Sequence, residues 1–92
     1  MEKDMQKYLM LLKVDSKKTY DFYKVMTTMP QDAAEGVKIW GSYNLFGNWD
    51  FAIWFEAKDN EAAVHFVGEK IRSIDGVMET VTIPAMAMKE YM

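Results

Sequence analysis

The chain has no cysteine and only one histidine, His65. Without thiols, disulfides, thiolate catalysis and thiolate metal sites are excluded, and a metal on His65 would need companions. Basic blocks are also missing. Eleven Lys and Arg stand against 14 Asp and Glu, for a net charge of −3, and the longest cationic run is Lys17-Lys18. A nucleic-acid binder needs a positive patch to displace counterions, so no direct contact with DNA or RNA is expected. No apolar run approaches the ~20 residues that cross a bilayer. The opening MEKDMQKY is charged where a signal peptide is apolar. A soluble, cytoplasmic protein is expected. There is no G-x-S-x-G elbow, no G-x-x-x-x-G-K phosphate loop and no G-x-G-x-x-G. No cofactor or metal, and no catalytic residue, is indicated.

What the chain does have is apolar surface. Half of its 92 residues are hydrophobic and 14% are aromatic, with nine methionines. A chain this short buries only about 60–65% of its unfolded surface. Some of the excess apolar area therefore calls for cover by another chain. Methionine suits both irregular core gaps and adaptable interfaces.

The pattern along the chain reads as β-α-β-β-α-β in a single domain, 1–92. KYLMLLKV (7–14) is a strand, apolar on both faces except at Lys13. A helix follows, capped by Asp15 or Ser16 and ended by Pro30. Thr19, Phe22, Tyr23, Met26 and Met29 share one side of its wheel. VKIWGSYNLF (37–46) and WDFAIWFEA (49–57) read as two strands joined by a tight hairpin, since Gly47 and Asn48 tolerate positive φ. Asp59 or Asn60 caps a second helix over 60–74, with Ala63, Phe66, Val67, Ile71 and Ile74 on its apolar side. Gly76 supplies its left-handed stop. VMETVTIPA (77–85) is the fourth strand, and MAMKEYM extends it or docks elsewhere.

This order is the ferredoxin-like α+β pattern, a four-stranded antiparallel sheet with both helices on one face. The open face of such a sheet normally alternates to polar. Here 7–14 and 51–55 are apolar on both faces. The simplest cover is a second copy of the same sheet, giving a dimeric α/β barrel with Trp40 and Trp54 in the sheet-to-sheet contact.

His65 lies opposite the Ala63–Val67–Ile74 stripe, which makes it a surface histidine, although Glu61 and Glu69 flank it at i−4 and i+4. In Gly47-Asn48-Trp49-Asp50 the residues leave two uses open. The aspartate can accept backbone N–H bonds and lock the loop. Alternatively, free turn N–H groups and Trp49 can help line a small-molecule pocket. Thr80 and Thr82 point to one face of the last strand, either as ordinary strand formers or as hydroxyls lining a polar site.

Two stretches resemble one family. Gly47-Asn48-Trp49-Asp50 is similar to the G-x-[YW]-D turn of the ligand-binding domain of feast/famine (Lrp/AsnC) transcription regulators. Asp75-Gly76-Val77-Met78-Glu79-Thr80-Val81-Thr82 resembles the G-V-x-x-T-x-T that opens that domain's last strand. FEAKDNEAA (55–63) resembles the strand-to-helix junction of the related GYD-type domains. The resemblance covers 7–85. It implies a dimeric α/β barrel that assembles further, an amino-acid effector bound near a dimer–dimer contact, and a link to transcription regulation. Gly47, Asn48, Trp49 and Asp50 become candidate effector contacts, with Thr80 and Thr82 as subsidiary ones. The chain starts close to its first strand, so no helix-turn-helix is expected before it, and DNA would be read only through a longer regulator of the same family. GSYNLFG is bulkier than the family's approach to this turn. Two other readings stand beside this one. The first is a cofactor-free monooxygenase or isomerase with a pocket between sheet and helices, lined by Trp40, Trp54, Tyr43 and Phe22. The second is a purely structural assembly domain.

Overall fold

The computed structural model describes residues 5–91. Four strands form one antiparallel sheet in the order β2-β3-β1-β4: β1 (Gln6–Val14), β2 (Val37–Asn44), β3 (Phe51–Ala57) and β4 (Val77–Ala85). The two strands read as apolar on both faces, β1 and β3, are the central pair. Two helical segments cover one face. The βαββαβ order is as the sequence pattern predicts.

The first connection starts with a 3-10 turn at Ser16–Lys18, where Asp15 Oδ1 accepts the Lys17 N–H at 2.9 Å. It continues as α1 (Thr19–Thr28). Met29 is extended, as the residue before Pro30 must be. Only Phe22 and Met26 of α1 are buried. Thr19 and Tyr23 are exposed, so the buried stripe is narrower than the wheel suggests, and Tyr23 instead stacks on Tyr20 at 6.5 Å.

Asp59, not Asn60, caps the second helix; its Oδ1 accepts the Ala62 N–H at 2.8 Å. α2 (Asn60–His65) then widens into a π-helical segment, Phe66–Ile71. The helix therefore ends earlier than the expected 74. Gly76, with φ of 98°, does not stop it; it turns the chain into β4 and leaves room for Lys18, whose Cβ would lie 2.4 Å from a Cβ at this position.

The core lies between the sheet and the helices. Tyr8, Met10, Leu12 and Val14 of β1 and Phe51, Ile53, Phe55 and Ala57 of β3 meet Phe22, Phe66 and Ile71. Phe55 is its hub, stacked on Tyr8 at 5.1 Å and edge-on to Phe66 at 4.9 Å. Among the described residues no helix is long and apolar enough to cross a membrane.

Candidate functional site

Strand parity decides which residues reach which face. Tyr8, Met10 and Leu12 face the helices, so Leu9 and Leu11 face the other way, and their partners follow: Ala52 and Trp54 on β3, Val81 and Ile83 on β4. A bulge in β2 between Ile39 and Gly41 interrupts this alternation. Ile39 packs on the core, while Trp40 joins Trp54 on the open face. Trp40 follows Ile39 by ordinary alternation; the bulge acts just beyond it, putting Gly41 on the open face as well and, through the shifted register, Tyr43 opposite Ala52. A Cβ at Gly41 would lie 2.9 Å from the Tyr43 hydroxyl, so glycine there lets Tyr43 lie beside the same cluster.

Trp40, Tyr43 and Trp54 are 56%, 54% and 38% exposed, a large aromatic patch on an otherwise aliphatic plate. Together with the segment after β4 they bound a cavity of about 560 Å³. That segment, 86–91, does not extend the strand. Glu90 ties it back by an ion pair to Lys7, which raises the pKa of the Lys7 ammonium, while Met86, Met88 and Tyr91 stay exposed.

The expected monomer pocket lined by Trp40, Trp54, Tyr43 and Phe22 does not form. Phe22 is fully buried on the helix side, 4.6 Å from Phe51, with the sheet between it and the other three. Residues on opposite parities of a sheet cannot line one cavity.

The turn is longer than a tight hairpin. β2 ends at Asn44 and β3 begins at Phe51, shorter than the expected 37–46 and 49–57, which leaves a six-residue loop, 45–50. Asp50 fixes it. Its carboxylate accepts the Val14 N–H at 2.9 Å, its own N–H donates to Leu12 O at 2.8 Å, and its carbonyl accepts the Leu45 N–H at 2.9 Å. Both ends of the loop are thus anchored, one of them onto β1. Trp49 is half-buried, with the Lys13 ammonium 5.3 Å from its ring centroid. Gly47, with φ of 114°, and Asn48 are exposed, and nothing crowds Gly47. Among the described residues, the bonds of this corner run to Leu45 and Asp50 and none to the N–H groups of 46–49.

Asp50→Ala should therefore leave the Val14 N–H unsatisfied. We expect it to lower stability by about 1–3 kcal/mol, measurable by urea denaturation, with Asp50→Asn recovering part of the loss through its amide oxygen.

Thr80 and Thr82 share a face, as read from the sequence, but not with the turn. Thr80 pairs with Leu12 and Thr82 with Met10, so both hydroxyls lie on the helix face of the edge strand β4, in a cleft of their own. His65 is exposed, with its Nδ1 3.5 Å from Glu69 Oε1. Among the described residues no group of three metal-ligating side chains comes together.

A small antiparallel sheet with one apolar open face and a braced, solvent-facing hairpin loop defines the class of domain. Residues 8–91 match the Lrp/AsnC ligand binding domain, and the chain belongs to that family. Comparison with curated protein sequences finds no match. Among solved structures, TTHA0845 from Thermus thermophilus is similar at 21% identity, with a TM-score of 0.75 over 95% of this chain and 100% of that one. E. coli AsnC is similar at 15% identity and a TM-score of 0.76, over 95% of this chain and 54% of that one. The transcriptional regulator NMB0573 from Neisseria meningitidis, solved as a complex with L-Met, is similar at 16% identity and a TM-score of 0.76, over 94% and 53%. This chain thus spans about half the length of those two regulators. At these identities the likeness is one of fold.

Proposed function

We propose that this protein is a small-molecule effector-binding and oligomerisation domain serving transcription regulation. In this reading two copies pair through their open sheet faces, with Trp40 and Trp54 at the centre, and pairs assemble further. The effector is an amino acid held against the hairpin loop. Gly47, Asn48 and Trp49 offer it unpaired backbone N–H groups for a carboxylate and an aromatic wall, while Asp50 braces the loop. The observation that carries the reading is membership of the ligand-binding family together with this loop geometry. That the similar regulator NMB0573 was solved with L-Met supports an amino acid as the effector class. The domain reaches promoters by co-assembling with longer regulators of the same family through the shared sheet face. An effector that binds one assembly state more tightly shifts the population towards it.

A thermal-shift screen against the twenty amino acids tests this. A selective ligand at ~100 times its Kd adds about 2.7 kcal/mol per site, and Trp49→Ala should abolish the shift. A flat response to every amino acid at millimolar concentration would sink the effector reading.

A further inference from the structure

The cleft that holds Thr80 and Thr82 lies between β4 and the π-helical segment, and its volume is about 380 Å³. That is at the small end of ligand clefts, which run from about 300 to 1,000 Å³. The helical wall is unusual. Arg72 N–H bonds to Val67 O at 2.9 Å, five residues back. Such π turns are rare and concentrate at functional sites. Gly68 lies in the same wall. A glycine inside a helix costs about 0.8–1.0 kcal/mol relative to alanine, yet a Cβ at Gly68 would meet nothing within 4 Å. No packing contact accounts for the glycine, so a methyl fits there freely, and only a longer side chain would take up the space of the cleft.

The polar lining has one character. Arg72 is the chain's single arginine, and the three ion pairs among the described residues leave it out. Thr80 and Thr82 add hydroxyls. The Tyr8 hydroxyl donates to Asn60 Oδ1, which leaves the Asn60 amide N–H groups as further donors. Burial, with Asp59 nearby, pushes the Tyr8 pKa up, so the phenol stays protonated. Among the described residues no carboxylate lines the cleft, and Asp59 beside it is committed to capping α2. The remaining lining, Val64 and Val67 included, is mostly apolar.

We propose that this cleft binds a small aliphatic monocarboxylate, with its carboxylate on the Arg72 guanidinium and the Thr80 and Thr82 hydroxyls and its alkyl body against Val64 and Val67. Guanidinium is the side chain best matched to a carboxylate. A 2-oxo acid suits the lining. The amino acid of the same skeleton brings an ammonium that would find no acidic partner in the cleft, an uncompensated desolvation. The site lies on the helix side of each protomer, away from both the hairpin loop and the open sheet face, so it stands independently of the effector reading.

Titration calorimetry with 4-methyl-2-oxopentanoate, leucine and 4-methylpentanamide is the test. The oxo acid should bind once per protomer, and the other two at least about tenfold more weakly, a difference of about 1.4 kcal/mol. Arg72→Gln should weaken the oxo acid by a similar factor. Gly68→Leu, which fills the cleft from its open wall, should abolish binding, while Gly68→Ala should keep the cleft and melt higher. Absence of saturable binding, or binding unchanged in Arg72→Gln and Gly68→Leu, would overturn the proposal. Binding lost in Trp49→Ala but kept in Gly68→Leu would put the ligand at the loop, overturning the cleft proposal and leaving the effector reading intact.

Discussion

Trp54→Glu should turn the protein into a folded monomer. Trp54 is the largest side chain in the middle of the open face, flanked across the strands by Leu9 and Gly41. In one protomer it is exposed enough that a charge there remains hydrated, so the fold survives. In a sheet-to-sheet contact it would be an aromatic anchor, and truncating such anchors costs about 2 kcal/mol or more. A buried, unpaired carboxylate adds further cost. Dimerisation should weaken by about a thousandfold or more, roughly 4 kcal/mol. Sedimentation velocity reads the mass and circular dichroism checks the fold. A variant that still dimerises with unchanged affinity would mean that the open face is not the contact.

Its neighbour should fail in the opposite way. Phe55 points to the helix side, is 1% exposed and touches the rings of both Tyr8 and Phe66. Phe55→Ala should cost about 3–5 kcal/mol. At 0.05–0.15 kcal/mol per residue, a chain of this length has about 5–14 kcal/mol of total stability. The melting temperature should fall by roughly 12–40 °C, given about 4–8 °C per kcal/mol at this size. Scanning calorimetry measures it. A loss under about 1 kcal/mol would mean that the ring sits in a site able to collapse around the gap, contrary to the packing described. Two adjacent residues, one needed for the partner and one for the fold, express the two-residue period of a strand.

That period is also why most of the fold is legible in the sequence. The apolar character of both faces of 7–14 and 51–55 identifies the central strands, and the spacing of Phe22 and Met26, and of Ala63, Phe66 and Ile71, fixes the buried helix faces. The hairpin is less legible. Leu45, Phe46 and Trp49 look like strand residues, yet the loop is held by Asp50 bonding sideways to Leu12 and Val14 of β1, a tertiary contact with no local signature. The shared face of Thr80 and Thr82 follows from spacing. Which face it is depends on their pairing with Leu12 and Met10, and that pairing separates them from the turn. Arg72 and Gly68 belong to no motif, and Asn60 reads in the sequence only as part of the strand-to-helix junction. The π turn that opens their cleft is one extra residue in a hydrogen-bond ring, and helical periodicity barely registers it.

Pairing and effector sensing are both read from the solution mass of the unmodified protein, by light scattering across concentration, with and without the amino acids. A protein that pairs through its open sheet and senses an effector should never weigh less than twice its 10.7 kDa chain at micromolar concentration, and one amino acid should move it to a larger, defined mass. A mass of 10.7 kDa at every concentration, unmoved by any amino acid, would contradict the account.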